Sequence, residues 1–147
     1  LKSFINGLTG ITAETLKDAP PVEKVIKDFQ EFVGSLPMVG YNAAKSDLPI
    51  LAEHGLDYSQ QYKVDLYDEA FERRSSDLHG IANLKLQTVA SFLGFQGQSH
   101  NSLEDARMTA RVYESFLESD QARELLETES SLSNNPFGGL DLSQLFD

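Results

Sequence analysis

Apolar residues recur at Val22, Val25, Ile26, Phe29, Phe32 and Val33, the spacing of one face of a helix. Asp18 and two prolines precede this stripe and Gly34 follows it, which predicts a helix over 22–33. The run LPMVGY at 36–41 is short and apolar, and it predicts a buried strand. SDLPILAEHG then predicts a helix, with Ser46 as a candidate cap, Pro49 in the first turn and Gly55 at the stop. YKVDLYD at 62–68 alternates Val64 and Leu66 with charged residues, a second strand pattern, while DEAFERR beyond it has helical character. LKLQTVASFLG predicts a helix ending at Gly94.

The last strong helix is predicted to start near Ser102, where Ser102 and Asp105 form a Ser-x-x-Asp capping pattern. It continues through Leu103, Ala106, Ala110, Tyr113 and Leu117. Strands alternating with helices predict an α/β domain in which helices cover a sheet. No internal repeat is visible. From about residue 128 the composition changes to TESSLSNNPFGGLDLSQLFD, too polar to bury much apolar surface, so a domain over 1–127 and a flexible acidic tail over 128–147 are expected. Leu140, Leu142, Leu145 and Phe146 give the tail the form of a peptide that docks on a partner. An inert tail has the same composition.

With 147 residues the chain has room for one domain with a real core. It contains no cysteine, which leaves only Asp, Glu and His as metal ligands and suits a reducing, cytoplasmic setting. No apolar run is long enough for a membrane span, and LKSFINGLTG lacks the layout of a signal peptide. The net charge of −11 divides nearly evenly. Residues 1–117 hold 11 Lys/Arg against 16 Asp/Glu, and 118–147 hold 1 against 7. A field of this sign repels nucleic acid, so such a substrate would need local cations between its phosphates and the carboxylates.

Two places could carry chemistry. His100 closes a polar loop, and Asp105 follows five residues later at the edge of the arc formed by Ala106, Ala110, Tyr113 and Leu117, so it is expected to look inward. Taken alone, this is equally the polar start of a helix, its carboxylate favoured by the helix dipole. In MVGYNAAKSDLPIL, Asn42 follows a predicted strand and Asp47 opens the next helix, at the carboxyl edge of a sheet where open α/β folds place ligands. A turn and a cap would use the same two residues. Lys45, beside them, is a candidate phosphate contact. His54 before Gly55 and His79 in SSDLHG are expected to be structural or merely exposed, and Arg107 and Arg111 to pair with Glu104 and Glu114.

Together these segments resemble the DEDDh superfamily of 3′-to-5′ exonucleases, which has a ribonuclease H-like fold, and most closely the epsilon-type proofreading exonucleases of bacterial DNA polymerase III. GITAETLKDAP looks like the family's segment between its third strand and first helix, VGYNAAKSDLPIL like its second motif, and HNSLEDA like its third. Order and spacing agree over 6–118. The resemblance implies Asp47 and Asp105 as ligands of two divalent ions, Mg²⁺ or Mn²⁺, and His100 as the catalytic base. It places Asn42 and Lys45 near the substrate. A single-stranded DNA 3′ end is the implied substrate, RNA being the other polymer that fits the same chemistry. A polymerase or processivity protein is then the expected partner for a docking tail, while the lack of a long apolar run predicts no membrane partner.

The sequence departs from the family in three places. Ser46 stands where an aromatic residue is usual, and Tyr41 where histidine is usual. The first motif, an Asp-x-Glu on an initial strand, has no match before Ile5, so two of the four family carboxylates are absent from these 147 residues. Asp65 and Asp68 do not replace them, because the comparable family aspartate is not a metal ligand. The expectation is therefore an N-terminally incomplete exonuclease domain, with helices on a mixed sheet that exposes an edge, and inactive by itself. The competing expectation is a non-catalytic, exonuclease-like module that binds a partner.

Overall fold

In a computed structural model, the structure describes residues 3–96 and 101–134. The chain divides into two compact units, Leu1–Tyr113 and Glu114–Asp147. In the first unit, helix α1 spans Ser3–Thr9, α2 Ala13–Lys17 and α3 Val22–Val33. Strand β1 follows at Met38–Gly40, then α4 at Asp47–Glu53 and β2 at Lys63–Asp65. Helix α5 (Leu66–Glu72) runs into a 3₁₀ turn at Arg73–Ser75, and α6 covers Leu86–Phe92. Helix α7 begins at Ser102 and continues through the division between units to Asn134.

The α/β expectation holds. The two strands pair in parallel, Met38 opposite Lys63, Val39 opposite Val64 and Gly40 opposite Asp65, and the ladder among the described residues consists of this parallel pair. Helix α3 has the bounds that its stripe predicts, but only Ile26 of the stripe is buried; Val22, Val25 and Phe32 stay exposed. The first strand is likewise shorter and less buried than expected. Met38 and Gly40 are half-buried and Val39 is exposed, because each strand has a partner on one side only among the described residues.

The core of the first unit lies further along the chain. Leu48 of α4, Leu66 and Ala70 of α5, Leu78, Val89 and Ala90 of α6, and Met108 and Val112 of α7 are buried there, together with Leu56. Arg73 is buried among them and forms ion pairs with Asp77 at 3.2 Å and Glu69 at 3.5 Å. The second strand pattern splits at its centre. β2 ends at Asp65, and Leu66 already belongs to α5, because the Asp65 carboxylate accepts the Tyr67 N–H at 3.1 Å and starts a helix there.

Three other local expectations change. The cap of α7 is Asn101, not Ser102. Its Oδ1 accepts the N–H groups of Leu103 at 3.1 Å and Glu104 at 3.2 Å, while Ser102 is already helical. Asn serves this position as well as Ser. Ser46 makes no side-chain cap bond to α4. In the second unit, the helix carries on through 128–134, a stretch expected to belong to the tail. Thr128 and Ser131 turn their hydroxyls back onto the carbonyls of Glu124 at 2.9 Å and Glu127 at 2.8 Å, which satisfies the hydroxyls within the helix. The docking segment with Leu140, Leu142, Leu145 and Phe146 lies outside the described residues. No helix among the described residues is long and apolar enough to cross a membrane.

Candidate active site

Because β1 and β2 are parallel, their carboxyl ends, Gly40 and Asp65, share one edge of the ladder. The chain leaves that edge in a tight turn. A Cβ added at Gly40 would collide with the Cβ of Ala43, so glycine is what lets the turn fold back over the strand end. Asn42 sits at the bottom of the turn with φ 56°, a left-handed conformation that asparagine tolerates better than most residues. Its carbonyl accepts the N–H groups of Lys45 and Ser46, both at 3.2 Å, and the Ser46 hydroxyl at 2.8 Å. We expect Gly40→Ala to lower the melting temperature by several degrees. A variant that melts as the parent does would show that Ala43 can move aside at no cost.

The Asp65 carboxylate joins this turn to the second strand. Oδ1 accepts the Asn42 N–H at 2.6 Å and Oδ2 the Ala44 N–H at 3.1 Å, besides the Tyr67 N–H that caps α5. Tyr41 is held from the other side. Its hydroxyl donates to the Leu84 carbonyl at 2.7 Å, and its ring meets Tyr67 edge-on at 6.2 Å between centroids. Burial, with Tyr67 and Asp65 close by, pushes the Tyr41 phenol well above its ordinary value, so it stays protonated. Tyr41 is thus an anchor for the strand end.

Asp47 is the first residue of α4 and is exposed; the Ser46 hydroxyl reaches its Oδ2 at 2.6 Å. The hydroxyl has one proton, so the carboxylate and the Asn42 carbonyl are alternative acceptors for it; with the proton on Asp47, the Ser46 N–H still holds the Asn42 carbonyl at 3.2 Å, and Ser46 bridges the turn. Lys45 is exposed beside it. Asn42, Lys45 and Asp47 therefore share one turn at the carboxyl edge of the ladder, the arrangement expected from the sequence.

Asp105 lies in the first turn of α7 and is half-buried. The buried positions that follow are Met108, Thr109 and Val112, while Ala106, Ala110 and Leu117 are exposed and Tyr113 is half-buried. The inward stripe is thus offset from the arc expected from the sequence, and Asp105 falls in line with it at i, i+3, i+4 and i+7. The Thr109 hydroxyl donates to the Asp105 carbonyl at 2.8 Å. His100, and the loop over 97–100, lie outside the described residues. Arg107 pairs with Glu104 at 2.6 Å, as expected. His54 caps the end of α4 and His79 is exposed in its loop, as expected of both.

A model of the exonuclease family matches residues 1–113. The chain belongs to the exonuclease family. The match ends where the first compact unit ends. The exonuclease domain is 30% identical over 119 residues to a DNA polymerase III of the PolC type from Caldanaerobacter subterraneus subsp. tengcongensis, over 80% of this chain and 8% of that protein. It is 29% identical over 119 residues to the DNA polymerase III epsilon subunit of Aquifex aeolicus, covering 78% of this chain and 56% of the subunit. A PolC-type polymerase from Streptococcus pneumoniae serotype 2 is 32% identical over 128 residues, 80% of this chain and 8% of that protein. The chain therefore spans about half of the epsilon subunit and a small part of the PolC-type polymerases.

Asn42, Lys45, Asp47, His100 and Asp105 all fall inside the matched range. The acids the exonuclease domain offers are carboxylates, the donors that hard cations such as Mg²⁺ and Mn²⁺ take. Among the described residues no three His, Cys, Asp or Glu side chains form a group able to hold a metal ion. Mg²⁺ is commonly held by one or two carboxylates with water completing its shell. Asp47 and Asp105 belong to no metal-holding group of three among the described residues. The residue that sequence reasoning undervalued is Asp65. An aspartate that ends a strand pattern just before an acidic helix start was the available signal.

Proposed function

We propose that this chain carries part of the active site of a metal-dependent 3′-to-5′ exonuclease that removes nucleotides from DNA 3′ ends in proofreading or repair, in the cytoplasm. The observation that supports it most is the exposed Asp47 at the carboxyl edge of the parallel pair. The inward-lying Asp105 of α7 within the same matched family range adds to it. The named relatives, PolC-type and epsilon proteins of DNA polymerase III, lend the polymerase setting.

Asp47 and Asp105 would hold two divalent ions, Mg²⁺ or Mn²⁺, together with the two acids of an Asp-x-Glu motif; bound there, such ions stabilise charge on the attacking and leaving oxygens of the phosphodiester. An imidazole nitrogen of His100 takes the proton of the attacking water, the role that suits histidine near neutral pH. Asn42 orients the 3′ end, and the Lys45 ammonium meets a phosphate. In a chain of net charge −11, a local cation matters more than the overall field. The tail, through Leu140, Leu142, Leu145 and Phe146, would dock on a polymerase or processivity partner.

A strand labelled at its 5′ end distinguishes the direction of attack. Joined to an upstream strand bearing Asp-x-Glu, the chain should shorten this substrate stepwise from the 3′ end, stop in chelator, and resume with Mg²⁺ or Mn²⁺. The 147 residues alone should release little product. Hydrolysis that continues in chelator eliminates the two-metal reading, and an inert joined protein favours the non-catalytic module.

A further inference from the structure

Resting on the reading of Asp47 as a metal-holding carboxylate, we propose that Asp65 is a positioning residue whose carboxylate clamps the turn presenting Asn42 and Asp47. Three backbone N–H groups converge on it. Those of Asn42 (2.6 Å) and Ala44 (3.1 Å) belong to the turn and lie 23 and 21 residues away along the chain, while that of Tyr67 (3.1 Å) belongs to Asp65's own helix. A helix cap needs only the Tyr67 bond. The other two go beyond that role, and they engage the turn on either side of Ala43.

The turn has reason to need a clamp. Asn42 is held at φ 56°, and the Ala43 Cβ is packed against Gly40 so closely that a methyl there would collide. Left-handed backbone at a non-glycine residue persists where its surroundings over-determine it. A carboxylate accepting charge-assisted bonds from both sides of the bend supplies that constraint. The order of contacts is then Asp65 to the Asn42 and Ala44 amides, the Asn42 carbonyl to Ser46, and the Ser46 hydroxyl to Asp47 Oδ2 at 2.6 Å. Asp65 acts on the candidate metal ligand through this relay and does not itself touch metal or substrate.

Asp65→Ser separates the two roles, because serine still caps a helix but its single oxygen, one bond nearer the backbone, is too short to hold the Asn42 and Ala44 N–H groups as well. In the 147-residue chain, amide hydrogen exchange at Asn42 and Ala44 should speed up by at least about tenfold, as expected for a lost bond to a charged acceptor, while Tyr67 and the rest of α5 keep their protection. Unchanged exchange at Asn42 and Ala44 overturns the clamp. So does a loss of protection spread evenly over α5 and the turn, which would make Asp65 a fold element only. Should the serine variant fail to fold, Asp65→Asn tests one half of the clamp: its single oxygen can keep the Asn42 and Tyr67 N–H groups while its NH₂ faces the Ala44 N–H, so exchange should speed up at Ala44 with Tyr67 protected, and unchanged exchange at Ala44 overturns the clamp.

Line broadening by Mn²⁺ alone reads the second link. Broadening of the amides at 46–48 should need several-fold more Mn²⁺ in Asp65→Ser than in the parent, and should vanish in Asp47→Asn. Broadening that persists in Asp47→Asn removes the metal role of Asp47, while the exchange result still decides the clamp. Broadening that is lost in Asp47→Asn but unshifted in Asp65→Ser breaks the relay and overturns the positioning role.

Discussion

His100→Ala, in a protein that also carries the Asp-x-Glu strand, should reduce hydrolysis of a DNA 3′ end by about 10²–10⁴-fold, the usual contribution of a positioned general base. The fold should be untouched. The start of α7 is held by the Asn101 side chain, which accepts the Leu103 and Glu104 N–H groups, and those bonds do not involve the histidine. Melting temperature and helix content should therefore stay at parent values while turnover falls. DNA affinity measured in chelator should also stay the same, since a base acts on the water and not on the bound strand. A variant that hydrolyses at the parent rate would remove His100 from the chemistry and leave HNSLEDA as a helix start with polar residues. A variant that loses both activity and fold would assign the histidine to structure.

The sequence was most readable where one physical constraint acted alone. The stripe Val22–Val33 specified its helix to the residue, and the Asn42–Asp47 turn fell where an apolar run stopped before Pro49. Burial was less legible. A periodic stripe says which side of a helix faces away from water but not whether anything covers it, and Val22, Val25 and Phe32 remain exposed. The offset on α7 has a similar origin. Alanine is neutral as a marker of burial, so Ala106 and Ala110 suggested an arc that Met108 and Val112 correct.

At the site, the residues with side chains suited to chemistry could be listed from the sequence, whereas their supports could not. The bonds from Asp65 to Asn42 and Ala44 join positions far apart in the chain, and no local pattern encodes a long-range contact to a backbone N–H. Tyr41 is similar. It drew notice only as a departure from histidine, yet its hydroxyl ties the strand end to Leu84. The helix through 128–134 was missed because composition reports the lack of apolar residues and is silent on a helix that continues unbroken from Ser102.

Asp105→Asn is expected to have the other large effect, and it tests whether this carboxylate works through its charge. Asparagine keeps the shape, so the half-buried position in line with Met108, Thr109 and Val112 remains filled. Removing one negative charge from the first turn of a helix costs about 0.3–1 kcal/mol of stability through the helix dipole. Activity should fall much further. Outer partners of a metal site typically cost about 10–100-fold when removed, and a direct ligand should exceed that. Raising Mg²⁺ or Mn²⁺ should restore part of the rate if the defect is in ion binding. The control is Arg107→Ala two residues on, which breaks an exposed pair with Glu104 of the kind worth about 0–1 kcal/mol and should leave hydrolysis nearly unchanged. If Asp105→Asn and Arg107→Ala behave alike, the aspartate is a dipole partner and the metal reading of α7 fails. If only Asp105→Asn loses activity with stability preserved, its inward placement serves the reaction and not the fold.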